Sequence, residues 1–301
     1  MRTLLTILIV PLLAAACVGP SSSANPSGSD GPSAVPTSSP TTSPTIAPRY
    51  PVNTSADEAI FRLADEGGFI SPAYLLTRTP LFALYGDGRV VVPGPVDASF
   101  PGPLLPNLRQ MQVTPADIQK ILAAADADGL LGPDATYRNI GIADASTTTF
   151  TTVVDGKTHI ISAYALSIPG ASGSSPDGAA QAKLIDFEKK IQNLDGFLGR
   201  KLTDSAYQAA GIEIFPSAAS AGGSPAPHVV TWPLATDPAK GQPTTVDGTL
   251  CILASGSDLT LFVAVAKNAD TTTLWSAPSG SYTLAVRPLF PDEAGCSPLA
   301  G

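Results

Sequence analysis

The chain has only two histidines, His159 and His228, and this scarcity limits the chemistry it could perform. A zinc enzyme typically takes three protein ligands, often from a His-Glu-x-x-His pattern, which is absent here. Gly-x-Ser-x-Gly, Ser-x-x-Lys, Walker and Gly-x-Gly-x-x-Gly motifs are also missing. His159 falls in a predicted strand, in register with Ile161 and Ala163, and His228 is at the start of another predicted strand. We therefore interpret both as structural and predict no metal, cofactor or catalytic histidine.

The segment Asp126-Ala-Asp128-Gly, followed by Asp134, is the closest approach to a calcium loop. An EF-hand loop places a bidentate Glu at its twelfth position, and that position is Tyr137 here. The third ligand position also lacks a suitable side chain. We interpret these acids as solvated groups at the end of a helix.

Three further acids, Asp87, Asp155 and Asp247, each precede a glycine. Asp-Gly supplies the positive φ that tight turns need, so turn geometry accounts for them without catalysis. Carboxylate dyads have no characteristic spacing in sequence, so a pair such as Asp144 and Asp155 remains an alternative that only a structure can test.

Cys17 has the strongest functional signal in the chain. It follows three alanines and the mainly apolar run 4–13, which Arg2 precedes, and it lies before a Ser/Pro-rich stretch. This arrangement resembles the signal of a bacterial lipoprotein, in which residues 1–16 are removed and the cysteine receives palmitate-type acyl chains. The alternative is ordinary cleavage after Ala16, which would leave a free N-terminal thiol. The resemblance implies an exported protein anchored by lipid to the outer face of the cell membrane.

Residues 17–50 are expected to form a disordered tether. Ser, Thr, Pro and Gly supply 23 of the 33 residues from 18 to 50. A stretch with so few large apolar side chains cannot offset the entropy of ordering. We predict a spacer, with a Pro-rich ligand motif or glycosylation as alternatives.

Cys251 and Cys296 are the two cysteines that remain once Cys17 is lipidated. An even pair in an exported protein predicts a disulfide. A metal site would have too few soft ligands nearby, and a redox pair usually has the spacing Cys-x-x-Cys.

Composition excludes other classes of function. The net charge is −8, with 44% hydrophobic and 14% charged residues, and no basic cluster occurs. The remaining chain is therefore globular, and nucleic-acid binding is not expected.

The first half, 51–200, is predicted to form an α+β domain. Hairpins are expected at 81–92 and at 147–164, around Gly86-Asp87-Gly88 and Asp155-Gly156. Thr114 and Pro115 predict the start of a helix that ends near Gly129. Asp177 is expected to cap a second helix that reaches about Leu198. Its predicted buried face comprises Leu184, Phe187, Ile191 and Leu194.

The second half, 201–301, is predicted to be a smaller α+β domain with the disulfide. Strands are expected at 207–215 and 228–232, and a turn at Asp247-Gly248 within 246–253. The apolar segment 259–266 could be a buried helix or a core strand; its alanines and the cap Ser257-Asp258 favour a helix. A closing hairpin is expected around Ser279-Gly280. The whole is an α+β fold of antiparallel hairpins with packed helices, in two units.

Several segments resemble a group of uncharacterised secreted or lipid-anchored proteins of actinobacteria. They are the hairpin 84–89, the Thr-Pro-capped helix, and the closing stretch 287–293 before Cys296. The resemblance covers roughly residues 57–301, and its motifs are a turn, a cap and a corner beside the disulfide. It implies no activity.

We therefore expect a cell-envelope lipoprotein with a non-enzymatic binding or structural role. Its partners would be the membrane, through the lipid on Cys17, and an envelope protein, glycan or lipid. The alternatives are a carboxylate-dependent hydrolase and a small-ligand carrier or sensor. An enzyme should have a cleft with two carboxylates, whereas a carrier should have an apolar cavity.

Overall fold

The structure is a computed structural model that describes residues 49–96, 98–139, 141–166, 168, 177–219, 228–246 and 248–296. The chain divides into two units, Met1–Thr45 and Ile46–Gly301, and all described residues belong to the second. Cys17 and Asp247 lie outside the described residues.

The described residues form an α+β fold with two mostly antiparallel sheets, as predicted. The first sheet has eight strands in the order β5-β7-β6-β1-β2-β3-β4-β8. Their bounds are β1 Ala59–Glu66, β2 Phe82–Tyr85, β3 Arg89–Pro93, β4 Leu108–Gln112, β5 Ala135–Tyr137, β6 Thr147–Val154, β7 Lys157–Tyr164 and β8 Asp204–Ala206. Among the described strands of this sheet, β5 and β7 are the one parallel pair.

The second sheet has six strands in the order β10-β13-β14-β9-β12-β11. Their bounds are β9 Gly211–Ala218, β10 Val229–Thr231, β11 Gln242–Pro243, β12 Leu250–Ser255, β13 Leu274–Ala277 and β14 Gly280–Pro288. In this sheet β10 and β13 also pair in parallel. The described α-helices are α1 Pro72–Thr77, α2 Pro115–Ala127, α3 Gly178–Gln192, α4 Leu194–Leu198 and α5 Gly256–Ala266.

Local sequence explains the two elements that were most clearly predicted. Asp155 and Gly156 have φ values of 52° and 68°, so the Asp-Gly turn joins β6 to β7 with positive φ at both positions, as a tight hairpin requires. Thr114 and Asp117 form a reciprocal capping box, and Pro115 begins α2.

Helices α2 and α3 cover one face of the first sheet. The predicted face of the long helix is buried: Leu184, Phe187, Ile191 and Leu194 are at most 4% exposed. Phe187 contacts Phe61 edge-on, with ring centroids 5.4 Å apart. The core thus forms where the apolar side chains of α3, which recur every 3.6 residues, pack on those of β1, which alternate between the two sheet faces.

Two segments tie the first sheet to the second half of the chain. In the loop between β3 and β4, Leu104 is buried in the second core with Trp232, Phe262 and Trp275. Phe290, just after β14, packs against Tyr85 on the sheet face opposite the helices. Both faces of the first sheet are therefore covered near its centre.

Several predicted boundaries are wrong. The helix from Asp177 breaks at Asn193, which has φ −115° and ψ 62°, and its side chain caps the short α4 by accepting from the Gly196 N–H. Asp177 makes no side-chain cap bond; its carboxylate accepts instead from the Arg138 N–H.

The expected strand 207–215 begins only at Gly211. Tyr207 instead packs beside Phe290 with ring centroids 5.9 Å apart. Helix α5 begins at Gly256 rather than after Ser257, because Gly256 turns the chain directly out of β12 with a φ of 56°.

Candidate ligand-binding pocket

A half-open pocket of about 510 Å³ lies on the helix-covered face of the first sheet, where α3 gives way to α4. This volume is within the usual range of small-molecule sites, roughly 300–1,000 Å³. The apolar part of its wall includes Leu63, Phe82, Val92, Met111, Ile191 and Leu202. The polar part comprises Arg109, Gln192, Asn193, Asp195, Lys201 and Asp204.

Strand register explains which sheet side chains reach the pocket. Val92 pairs with Arg109, and Val90 pairs with Met111. Paired residues share a face and alternate residues return to it, so Val92, Arg109 and Met111 all project toward the helices. The helices above them cover only part of this surface.

The break at Asn193 shapes the opposite wall. Helix α4 runs for five residues and ends at Gly199, which adopts the left-handed conformation with φ 75°. The chain then returns through Lys201 and Leu202 to the strand β8. The Asp195 carboxylate holds this return by accepting from the Leu202 N–H at 2.9 Å. A concave surface results where an uninterrupted helix would have left none.

Opposite charges occupy the rim. Arg109 binds the Oδ2 atom of Asp204 through its Nε at 2.7 Å and a terminal nitrogen at 2.6 Å. In the described part of the chain, Lys201 makes no ion pair within 4.0 Å. Asp195 and Lys201 line the same pocket without pairing with each other.

The structure keeps both histidines away from this pocket. His159 is half-buried in β7, and its Nδ1 donates to the Gly132 carbonyl at 2.7 Å. His228 is exposed, and its carbonyl accepts from the Leu274 N–H. Each occupies the structural position expected for it.

The acids of the rejected calcium loop have other partners. Asp126 accepts from the Tyr50 hydroxyl at 2.9 Å, and Asp128 pairs with Lys190. Asp134 accepts from the Ile160 N–H. Asp126 and Asp134 are exposed acids at and after the end of α2, as predicted, and the three groups also fasten α2 and the following loop to neighbouring elements.

Asp144 and Asp155 do not form a dyad. Asp144 lies before the start of β6 and Asp155 lies after its end. The whole of β6 lies between them, and its eight extended residues span about 26 Å at roughly 3.3 Å per residue. Asp87 accepts from the Arg89 N–H within its hairpin, as a turn residue does.

Cys251 and Cys296 form a disulfide with their Cα atoms 5.6 Å apart. Their sulfurs and the Glu213 carboxylate lie within 4.8 Å of one another. A metal would need thiolate ligands, but both sulfurs are consumed in the bridge. Glu213 is also occupied, because it accepts from the Cys296 N–H at 2.7 Å.

A network of charges at the end of β14, buried at Arg287 and Glu213, was missed in the sequence. Arg287 pairs with Glu213 and Glu293, and Arg62 pairs with Asp292 and Glu293. Burial works to lower the pKa of Arg287, but the hydrogen bonds and charges of Glu293 and Glu213 outweigh it and raise that pKa. The network joins β1 to the C-terminal corner.

Two tyrosines border this network. Burial, and then the charge of Asp292, raises the pKa of Tyr85 far above its ordinary value. Burial also raises the pKa of Tyr207 to about 12. Both hydroxyls therefore stay protonated and donate, Tyr85 to Asp292 at 2.9 Å and Tyr207 to the Leu289 carbonyl at 2.8 Å.

No family model matches this chain, and neither a curated protein nor a solved structure does. The resemblance to actinobacterial envelope proteins therefore stays a prediction. Within the described residues, no helix has the length and apolarity that crossing a membrane requires.

Proposed function

We propose that this protein is a non-enzymatic binding protein of the cell envelope, which holds a small, largely apolar ligand in the pocket between α3–α4 and the first sheet. A lipid on Cys17 anchors it to the outer face of the membrane, and the tether holds the folded part away from the bilayer. The proposal joins two of the roles expected from the sequence, a non-enzymatic binding protein of the envelope and a carrier of a small ligand.

The observation that carries the proposal is the pocket itself. The half-open concavity between α3–α4 and the sheet has a volume of about 510 Å³, which falls within the range of small-molecule sites. Its apolar floor and short polar rim are typical of a site that encloses a ligand body and orients its end.

The pocket carboxylates favour binding over hydrolysis. Asp204 is held by two bonds from Arg109, and Asp195 fixes the Leu202 N–H. A glycosidase-type mechanism needs one carboxyl group free to deliver a proton and another free to attack or to activate water. Here one oxygen of Asp204 is bound by Arg109, and one oxygen of Asp195 accepts from the Leu202 N–H, so each acid has a structural partner.

A neutral fluorescent probe, N-phenyl-1-naphthylamine, tests the proposal. The mature chain with Cys17→Ala removes the lipid and the need for detergent. The probe should bind saturably, and Met111→Trp, which fills the pocket, should abolish binding while the unfolding transition is retained. Leu261→Trp adds the same indole at a position that is 52% exposed on α5, and it should leave binding unchanged. Equal binding by the native protein and Met111→Trp would refute the proposal.

A further inference from the structure

We propose that the ligand of this pocket has a zwitterionic head, with a cationic and an anionic group on one apolar body. The inference rests on the proposed function, because it requires the pocket to be a ligand site. It goes further by naming the chemistry that the rim recognises.

The charges on the rim balance. Two cations, Arg109 and Lys201, and two carboxylates, Asp195 and Asp204, line the same pocket. A rim of one sign would favour a ligand of the opposite sign, whereas a balanced rim gives a singly charged head no net attraction. A head that carries both charges can match both kinds of side chain.

Asp195 and Lys201 are neighbours that do not pair. The Asp195 carboxylate accepts from the N–H of Leu202, so it lies beside the peptide that links Lys201 to Leu202. No ion pair within 4.0 Å joins Lys201 to a carboxylate among the described residues. The ammonium of Lys201 and the second oxygen of Asp195 are therefore both available to a ligand at one position on the rim.

The Arg109–Asp204 pair offers a ligand a second cationic donor and a second carboxylate acceptor. Both bonds from Arg109 go to the Oδ2 atom of Asp204. This leaves one terminal nitrogen of the guanidinium and the Oδ1 atom of Asp204 without a hydrogen bond among the described residues. A planar guanidinium can bind a second carboxylate along its other edge.

The apolar floor sets the body of the ligand. Leu81, Val92 and Met111 line the pocket and are half-buried, so part of each apolar side chain is accessible. They offer no polar group, so an alkyl or aromatic body would lie against them and its head would lie at the rim. A head buried at the floor would lose its hydration without gaining a partner.

A matched series of ten-carbon amphiphiles tests the head group by displacement of N-phenyl-1-naphthylamine from the Cys17→Ala mature chain. The series is 2-aminodecanoic acid, decanoic acid, decylamine and decanol. We expect 2-aminodecanoic acid to displace the probe at about tenfold lower concentration than decanoic acid or decylamine, which each lack one charged group, since one charged hydrogen bond contributes roughly that factor. Decanol lacks both groups and should need a higher concentration still.

Two variants that each remove one charge assign the contacts. Lys201→Gln should remove the advantage of 2-aminodecanoic acid over decylamine. Asp195→Asn keeps an acceptor for the Leu202 N–H. It should remove the advantage of 2-aminodecanoic acid over decanoic acid. Lys183→Gln and Asp186→Asn change exposed residues of α3 outside the pocket and should change neither ratio.

The outcomes separate the two proposals. Equal displacement by all four amphiphiles, or a preference for decanoic acid or decylamine, would overturn the zwitterionic head while leaving the pocket as a ligand site. Absence of probe binding to the native protein would overturn both. Retention of the tenfold preference in both Lys201→Gln and Asp195→Asn would overturn the assignment of the head-group contacts to Lys201 and Asp195.

Discussion

Arg287 donates to Glu213 at 2.9 Å, and both side chains are only 8% exposed. The two residues are neighbours across β9 and β14, where Arg287 is in register with Glu213. Glu293 adds a second carboxylate to the same guanidinium. This arrangement fixes the corner that covers the back of the first sheet.

Removing Arg287 should be strongly destabilising. Arg287→Met leaves Glu213 and Glu293 without their main cation. Removing one partner of a buried ion pair lowers the free energy of unfolding by about 3–5 kcal/mol. Urea unfolding measures the loss. Lys189→Met breaks a pair with Asp186 whose side chains are 69% and 63% exposed, and it should cost less than about 0.5 kcal/mol. A loss below about 1 kcal/mol for Arg287→Met would contradict the assignment.

Asp117 should make stability depend on pH. Burial alone would raise the pKa of this carboxyl, but hydrogen bonds from Arg200 and Thr114 outweigh it and lower that pKa to about 2 from 3.8. A pKa depressed by folding stabilises the protein above the unfolded value, and the contribution is lost as the pH falls through the folded value.

The difference in unfolding free energy between the native protein and Asp117→Asn should thus be largest above about pH 5, fall as the pH approaches 2 and be lost near about pH 1. Chemical denaturation at a series of pH values measures it. The difference should shrink in an Arg200→Met background, which removes one of the two partners. A difference that grows as the pH falls would have the wrong sign and would refute the account.

The hairpin of β6 and β7 and the start of α2 could be predicted because their signals are local. Asp155-Gly156 and Thr114-Pro115 determine φ values and caps within a few residues. The strand β1 was not assigned from sequence. Its residues 59–66 become the centre of an eight-stranded sheet only through pairing with β2 and β6.

The pocket could not be predicted either, because it too depends on pairing between strands that are far apart in the sequence. Arg109 and Asp204 are 95 residues apart, and nothing local indicates that β4 and β8 pair. The break at Asn193 had a signal, since Asn is a favoured N-cap residue and Asp195 follows it in the first turn. The apolar periodicity running through to Leu198 outweighed it.

Phe187 should be the costliest single truncation in the first core. Its ring contacts Phe61 and Phe150 at centroid distances of 5.4 and 6.4 Å. Phe187→Ala should lower the free energy of unfolding by about 3–5 kcal/mol through lost burial and the remaining cavity. Phe69→Ala removes the same ring at a site that is 90% exposed and should change stability by less than about 0.5 kcal/mol. Similar losses for the two variants would contradict this packing.

Cys17→Ala should release the protein from the membrane or block its processing. The expectation follows from the signal sequence and from the single thiol that lipidation would consume. Membrane fractionation and mass spectrometry of the mature N-terminus measure it. Ser21→Ala, in the neighbouring tether, should remain lipidated and membrane-bound. A fully processed Cys17→Ala protein that stays in the membrane fraction would refute lipid anchoring.

The Cys251–Cys296 bridge should stabilise both the fold and the corner beside it. Reduction opens a loop with a sequence separation of 45, which corresponds to about 3–4 kcal/mol in the chain-entropy account. The N–H of Cys296 donates to Glu213 at 2.7 Å, so loss of the bridge should free this bond as well.

Hydrogen exchange in the Cys251→Ser, Cys296→Ser double variant should therefore speed up over 289–296, ahead of the hairpin of β6 and β7. That hairpin belongs to the other sheet and is the internal control. If exchange accelerates equally in both places, the bridge acts only on global stability. Unchanged exchange over 289–296 would mean that the Arg287 network alone holds the corner.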